Sequence, residues 1–236
     1  MSENIYPNSA RENCFAHIYC EIAMESYYNA TVSYEQIRKA GYSWDYYGEY
    51  DSMNKAVVST IVFSAMAIEA FINDYAAACL GDSDFYDNFD KLSLLGKFEL
   101  IARFILKSGR LDKGNAHYCR LKSLVKSRNL YVHCKSKRAV IQGYSLDEIQ
   151  KMKRLNSLES ESPPKLDSEE VENGINEALD ALKAIYDVAV YFDEYDSNIW
   201  AVSRLFNMLG LVAGDEHERR YKAVVFRVLG IKADEL

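Results

Sequence analysis

The pattern of hydrophobic and polar positions along the chain predicts a protein built of helices. Apolar residues recur with the spacing of a helix that buries one face in five stretches, residues 10–39, 52–80, 92–107, 115–134 and 168–195. Shorter helices are predicted at 146–155, 198–209 and 215–229. The second stretch is apolar on nearly every side, so it is expected to be the central helix. The sequence thus predicts an all-α fold, a helical bundle of four to five core helices with extra N- and C-terminal helices.

Capping and breaking residues bound these helices. Asp51 or Ser52 can cap the second helix, which Gly81 ends, and Ser168 can cap the fifth. An acidic loop is predicted at 82–90. Half of the tyrosines, nine of eighteen, lie in the first 50 residues; such rings can stack on bases, but are more often core or interface residues. We interpret the chain as one compact domain with three parts: a Tyr-rich N-terminal helical extension (1–50), the bundle (51–195) and C-terminal helices packing on it (196–236).

Composition limits the class of protein without giving a function. The 236 residues are 49% hydrophobic and 27% charged, with three prolines and eleven glycines, which suits long helices around a sizeable core. The longest uncharged apolar run, 56–68, is too short to span a bilayer, and no secretory signal is visible. The five cysteines include no Cys-x-x-Cys pair. We therefore expect reduced thiols, a cytoplasmic location, no membrane partner, no cofactor and no metal site.

The distribution of charge favours a polyanionic partner although the net charge is −7. Between residues 113 and 146 there is no Asp or Glu, while Lys and Arg give +8, which leaves −15 for the rest of the chain. A local basic strip of this kind is what RNA would contact. The alternative is a solvated, lysine-rich helix face. The residues expected to contact RNA are Lys122, Lys126, Lys135, Lys137 and Arg138.

The most unusual position in this strip is Arg128, which falls where an apolar residue is expected. It continues the helical stripe formed by Leu121, Leu124, Val125 and Val132. Burying an unpaired guanidinium is costly, because arginine keeps its charge in any protein environment. A carboxylate, a phosphate or a wet cleft is therefore expected opposite Arg128.

Polar residues on two helices are candidates to surround this arginine. Asn129 and His133 lie one turn apart on the same helix face, and His133 is offset from Arg128 by about 140°. An imidazole, which can change its charge near neutral pH, beside a fixed positive charge suits acid–base chemistry on a phosphate. On the second predicted helix, Glu69 and Asn73 lie one turn apart in an apolar surface. Glu69 is the predicted counter-ion of Arg128, unless this pair faces solvent at the helix margin.

The order Arg128, Asn129 and, after three further residues, His133 resembles the motif of the HEPN superfamily. In these helical domains an Arg, usually followed by a polar residue, precedes a His by a few positions. The segment 67–73 is also similar to an earlier helix of several such families, and the resemblance covers residues 52–135.

Two other Arg and His pairs have compatible spacing, so spacing alone decides little. Arg110 and His117 are disfavoured because Gly109 and Gly114 interrupt a helix there. Arg11 and His17 are disfavoured because Glu12, which follows the arginine, would compete with a phosphate. Only the motif at 128–133 combines an amide, an uninterrupted helical pattern and a basic setting.

The resemblance implies a metal-independent endoribonuclease in which two protomers pair so that both copies of the motif line one cleft. His133 would act as general base toward a ribose 2′-hydroxyl or as acid toward the leaving 5′-oxygen. Arg128 would hold the scissile phosphate, and Asn129 would orient the imidazole or the phosphate, with Glu69 and Asn73 supporting them. The expected products carry 2′,3′-cyclic phosphate and 5′-hydroxyl ends.

The alternative is a non-catalytic homodimeric module of helices that binds a partner, a nucleotide or RNA, as many members of this superfamily do. Arg128 would then be an interface residue paired with Glu69 or with an acid of a partner, and His133 a packing residue. An antitoxin or nucleotidyltransferase partner, and a role in a toxin–antitoxin or phage-defence system, follow only from what such domains often do.

Overall fold

The computed structural model describes residues 15–81, 84–108, 111–133, 165–196, 198–206 and 224. Over these ranges the chain forms helices and no β-strand, apart from an isolated bridge between Ser43 and Lys165. The α-helices are α1 (Ala16–Lys39), α2 (Tyr47–Leu80), α3 (Leu94–Leu100), α4 (Ala116–Val132), α5 (Ser168–Tyr195) and α6 (Ala201–Leu205). The shorter helical segments are a 3-10 segment (Trp44–Tyr46) and two π-helical segments (Phe85–Phe89 and Ile101–Ile105). The predicted all-α helical bundle is confirmed.

Helix α2 lies at the centre of the bundle. It packs against α1, α3, α4 and α5, and it buries apolar residues on several sides, including Ile61, Ile68 and Ile72. The stretch Trp44–Leu80 is long and apolar enough to cross a membrane by length and composition, a test that the core helix of a soluble protein also passes. Half of its most apolar window is buried inside the protein.

The start of α2 differs from the sequence prediction. The helix begins at Tyr47, before the predicted caps Asp51 and Ser52. The reason is the 3-10 segment, whose own cap, Ser43, accepts a hydrogen bond from the Asp45 N–H at 3.3 Å and which leads directly into α2. The helix therefore crosses the predicted boundary between residues 50 and 51, and α1 packs along α2 and α5 as part of the same core.

Two further local predictions are corrected. The predicted loop 82–90 contains a π-helical turn, in which Phe85 and Phe89 are buried with ring centroids 5.6 Å apart. Asp167 caps α5 in place of Ser168, because its carboxylate accepts from the N–H groups of the first turn. The predicted helix 146–155, and all of 215–229 except Val224, lie outside the described residues.

An aromatic cluster fixes α5 against the centre of the bundle. Phe192 on α5 is fully buried, and its ring centroid lies 5.0 Å from that of Phe71 and 5.1 Å from that of Tyr75, both on α2. Phe98 on α3 completes the cluster at 6.3 Å. The α2–α5 pair formed in this way is the surface on which α4 packs, since α4 contacts both helices.

Candidate functional site

Helix α4 carries the motif and has well-defined ends. Asn115 caps it by accepting a hydrogen bond from the N–H of His117 at 2.9 Å. At the other end the N–H of His133 donates to the carbonyl of Asn129 at 3.1 Å. The buried residues Tyr118, Leu121 and Leu124 turn one face toward the core, and the next position on this stripe is Arg128. The predicted motif helix at 115–134 is confirmed to within two residues at each end.

Arg128 lies at the end of this buried stripe, and its side chain is still partly exposed to solvent. Its side chain is 31% exposed, and Nη2 lies 3.9 Å from Oε2 of Glu69 on α2. Nη1 donates a hydrogen bond to Oδ1 of Asn129 at 3.1 Å. The predicted pairing of Arg128 with Glu69 is therefore confirmed as a long ion pair. A guanidinium has five N–H donors, so donors remain for a further anion.

Glu69 is shared between two cations, of which only one was expected. Its Oε1 accepts from Nζ of Lys97 on α3 at 3.3 Å, closer than its contact with Arg128. The Lys97 side chain is only 2% exposed, and its second acidic partner is Asp90 at 3.6 Å. A buried ammonium needs a carboxylate nearby. The charge of Glu69 is thus committed largely to Lys97, which leaves the guanidinium of Arg128 less tightly held.

Replacing Glu69 by alanine is expected to lower the free energy of unfolding by about 2 kcal/mol, because Lys97 would keep only one acidic partner. This value is below that for a fully buried pair, since Glu69 is partly exposed and Asp90 remains. Urea unfolding followed by circular dichroism measures the change.

Glu35→Ala is the matched control, because among the described residues Glu35 forms only an exposed pair with Lys39 at 3.9 Å. We expect it to change stability by less than about 0.5 kcal/mol. Equal stability of the Glu69 and Glu35 variants would contradict the role of Glu69 as the partner of a buried lysine.

Asn73 lies one turn beyond Glu69, but among the described residues it forms no hydrogen bond with Arg128. Its Oδ1 is buried and has no hydrogen-bond partner among the described residues. A buried acceptor without a partner costs about 1–3 kcal/mol. The supporting role of Asn73 therefore stays a prediction. Its buried Oδ1 is an acceptor that still needs a donor.

One exposed stripe of α4 carries the remaining polar groups of the motif. Lys122, Lys126, Asn129 and His133 follow one another at intervals of four, three and four residues, and all are exposed. This spacing puts them on one face of the helix, over a length of about 16 Å. Of the residues predicted to contact RNA, three lie outside the described residues: Lys135, Lys137 and Arg138.

Acids from other elements neutralise part of the predicted basic strip. Lys113 donates to Glu99 on α3 at 2.7 Å. Arg120 contacts Asp187 and, at 3.8 Å, Asp180, both on α5. These acids could not be seen in the strip itself, because they come from distant parts of the chain. Within the described part of the strip, the lysines without an acidic partner are those of the exposed stripe.

The far flank of α4 is attached to α5 by hydrogen bonds. Glu177 accepts from the hydroxyl of Ser127 at 2.5 Å and from that of Tyr131 at 3.4 Å. Burial, and then the charge of Glu177, raise the pKa of the Tyr131 hydroxyl, which keeps it a donor. The C-terminal half of α4 is thus held on one side by α2 and on the other by α5.

Sequence reasoning missed a second polar cluster at the other end of α4. Nδ1 of His117 lies 2.8 Å from Oδ1 of Asp187, and Arg120 binds the other carboxylate oxygen. Gly109 and Gly114 were the reason for disfavouring the pair Arg110 and His117. Helix α4, however, starts after both glycines and includes His117. A detectable signal was that Asp187 is the one charged residue in the apolar run 184–192. In the described ranges, no group of three or more His, Cys, Asp and Glu side chains is arranged to hold a metal ion.

Comparison of the chain with protein-family models, with curated proteins and with solved structures finds no significant match. The resemblance to the HEPN superfamily therefore depends on the residues of the motif and on the segment 67–73.

Proposed function

We propose that the protein is a HEPN-like endoribonuclease that works without a metal ion and uses the C-terminal end of α4 as its site. The observation that carries this proposal is the environment of Arg128, which is positioned by Glu69 and Asn129 but keeps 31% of its side chain exposed. His133 comes directly after the last turn of α4 and is also exposed. A fixed cation, an amide and an imidazole are thus each accessible to solvent near the same helix end.

These groups fit the cleavage of RNA by intramolecular transesterification. A base removes the proton of a ribose 2′-hydroxyl, the 2′-oxygen attacks the adjacent phosphorus, and the bond from phosphorus to the 5′-oxygen breaks as that oxygen takes up a proton. His133 is the group that exchanges protons in this scheme. Arg128 stabilises the charge of the pentavalent phosphorus, and the free amide N–H groups of Asn129 bind a phosphate oxygen. DNA lacks the attacking hydroxyl and is not a substrate.

Pairing of two copies is part of the proposal, because one histidine cannot act as base and acid in the same step. Exposed apolar side chains beside the motif support such pairing, since Leu130 is 64% exposed and Val132 is 47% exposed. Two-fold pairing through this end of α4 would bring the second His133 to the same cleft. The positive stripe through Lys122 and Lys126 would then extend the cleft along the RNA backbone.

Cleavage of RNA in the presence of EDTA tests this function directly. We expect fragments that end in 2′,3′-cyclic phosphate and begin with a 5′-hydroxyl, and we expect an all-DNA strand of the same sequence to stay intact. Mass spectrometry of the fragments identifies both ends. Fragments with 3′-hydroxyl ends, or cleavage that requires a divalent cation, would contradict the proposal.

A non-catalytic homodimeric or nucleotide-binding module is the second candidate, and the ion pair between Arg128 and Glu69 favours it. In this alternative the arginine is a structural residue that joins α4 to α2. Analytical ultracentrifugation tests the first candidate, because a strict monomer would have no shared cleft, whereas a dimer is compatible with both candidates. An antitoxin or nucleotidyltransferase partner belongs to the first candidate and stays a prediction from the resemblance.

A further inference from the structure

The N-terminal end of α4 borders a cavity that the proposed nuclease site does not include. The cavity has a volume of about 330 Å³ and lies among α3, α4 and α5. This is within the usual range for sites that bind small molecules, about 300–1,000 Å³. Its lining includes His117 of α4, which precedes Arg128 by about 16 Å along the helix axis. The two sites are therefore at opposite ends of one helix.

A histidine and a buried aspartate form the polar centre of this cavity. Asp187 is buried, and its two carboxylate oxygens contact His117 at 2.8 Å and Arg120. In the neutral imidazole, the contact with the carboxylate places the proton on Nδ1 and leaves a lone pair on Nε2. The His117 side chain is 61% exposed, so Nε2 is available to a ligand as a hydrogen-bond acceptor.

Aromatic rings form the walls around this centre. Tyr191 lies with its ring centroid 5.2 Å from that of Phe98 and 5.0 Å from that of Tyr195, at interplanar angles of 53° and 45°, which gives a wall of tilted aromatic rings. The hydroxyls of Tyr191 and Tyr118 are already bonded, to Ser108 at 2.5 Å and to Glu99 at 2.6 Å. Hydrogen bonds therefore hold the rings of Tyr191 and Tyr118 in place, and a flat ligand can stack on one exposed ring of this wall.

The charges around the cavity select against anions. The described residues of its lining include the carboxylates of Asp112 and Glu194 in addition to the histidine pair. The basic side chains nearby are occupied, because Arg120 is bound to Asp187 and Lys113 donates to Glu99 at 2.7 Å. Carboxylates and a free imidazole lone pair accept hydrogen bonds. The cavity thus suits a ligand that supplies N–H donors and carries no negative charge.

We propose that this cavity is a second binding site, for a small planar aromatic molecule that bears amino or amidine N–H groups, such as an aminopurine nucleoside. The ring stacks on the face of Tyr195, with Tyr191 tilted beside it, and its N–H groups donate to His117 Nε2 and to the acidic rim. The site is independent of the nuclease function, because it shares no residue with the motif.

Isothermal titration calorimetry with four probes tests the proposal. Adenosine and benzamidine are expected to bind the wild-type protein. Purine riboside, which differs from adenosine only in lacking the amino group, is expected to bind about fivefold to tenfold more weakly, the usual effect of one hydrogen bond. Adenosine 5′-monophosphate is expected to bind more weakly than adenosine because of the acidic rim. Absence of binding by both adenosine and benzamidine at millimolar concentration would overturn the proposal, as would equal binding of adenosine and purine riboside.

Variants locate the binding in this cavity. His117→Ala is expected to weaken adenosine binding about tenfold, and Tyr195→Ala at least about fivefold. The matched controls are His17→Ala and Tyr47→Ala, because both residues are exposed and lie away from the cavity. His133→Ala should also bind adenosine as the wild type does, so loss of nuclease activity and loss of this site are separable results. Unchanged affinity in both the His117 and Tyr195 variants would overturn the assignment.

Discussion

Replacing His133 by alanine is expected to lower the rate of RNA cleavage by about 10²- to 10⁴-fold, the usual effect of removing a general acid or base. The structure gives no reason for a large loss of stability, because His133 is exposed and follows the last turn of α4. The expected effect is therefore on the rate and not on folding. Single-turnover cleavage of a labelled RNA in EDTA measures it.

His17→Ala is the matched control for this variant. His17 is an exposed histidine on α1, and with Arg11 it forms one of the other pairs of compatible spacing in the chain. We expect the control to cleave RNA at the wild-type rate. If the two variants cleave equally fast, His133 takes no part in the reaction, and the non-catalytic candidate becomes the better explanation of the motif.

Part of this site could be predicted from charged residues at positions where the helical pattern calls for apolar ones. Arg128 interrupts a helical stripe that is apolar at Leu121 and Leu124, and Glu69 interrupts an apolar helix. Each interruption implies a partner, since an unpaired buried charge is costly. With two such residues on neighbouring helices, the pairing follows, and the structure contains it at 3.9 Å. The periodicity that predicted the helices is local, so it was sufficient for an all-α bundle.

The remainder of the site depends on contacts between distant segments, which periodicity does not encode. Lys97 looks like a surface lysine in its own helix, and its burial is tolerated because the carboxylates of Glu69 and Asp90 lie beside its ammonium group. His117 and Asp187 lie on different helices and pair only because α4 packs on α5. To predict this pairing, the packing angle between α4 and α5 would have to be known, and no local pattern in the sequence supplies it.

Replacing Phe192 by alanine is expected to lower the free energy of unfolding by about 4 kcal/mol, the usual cost of removing a fully buried phenylalanine. Phe192 is fully buried and meets the rings of Phe71, Tyr75 and Phe98, so the vacated space would be bordered by three large side chains that hydrogen bonds and packing hold in place. Such a cavity collapses poorly, because the rings belong to two different helices. Urea unfolding followed by circular dichroism measures the change.

Phe104→Ala provides the control, because the side chain of Phe104 is 69% exposed. The free energy of unfolding of this variant should lie within about 0.5 kcal/mol of that of the wild type. The comparison also tests the position of α4, which packs on the α2–α5 pair that Phe192 holds together. The Phe192 variant should lose RNA cleavage and adenosine binding together at the temperature at which it unfolds, whereas the Phe104 variant keeps both. A Phe192 variant as stable as the Phe104 variant would mean that α5 is not fixed through this cluster, and both sites would then need another support.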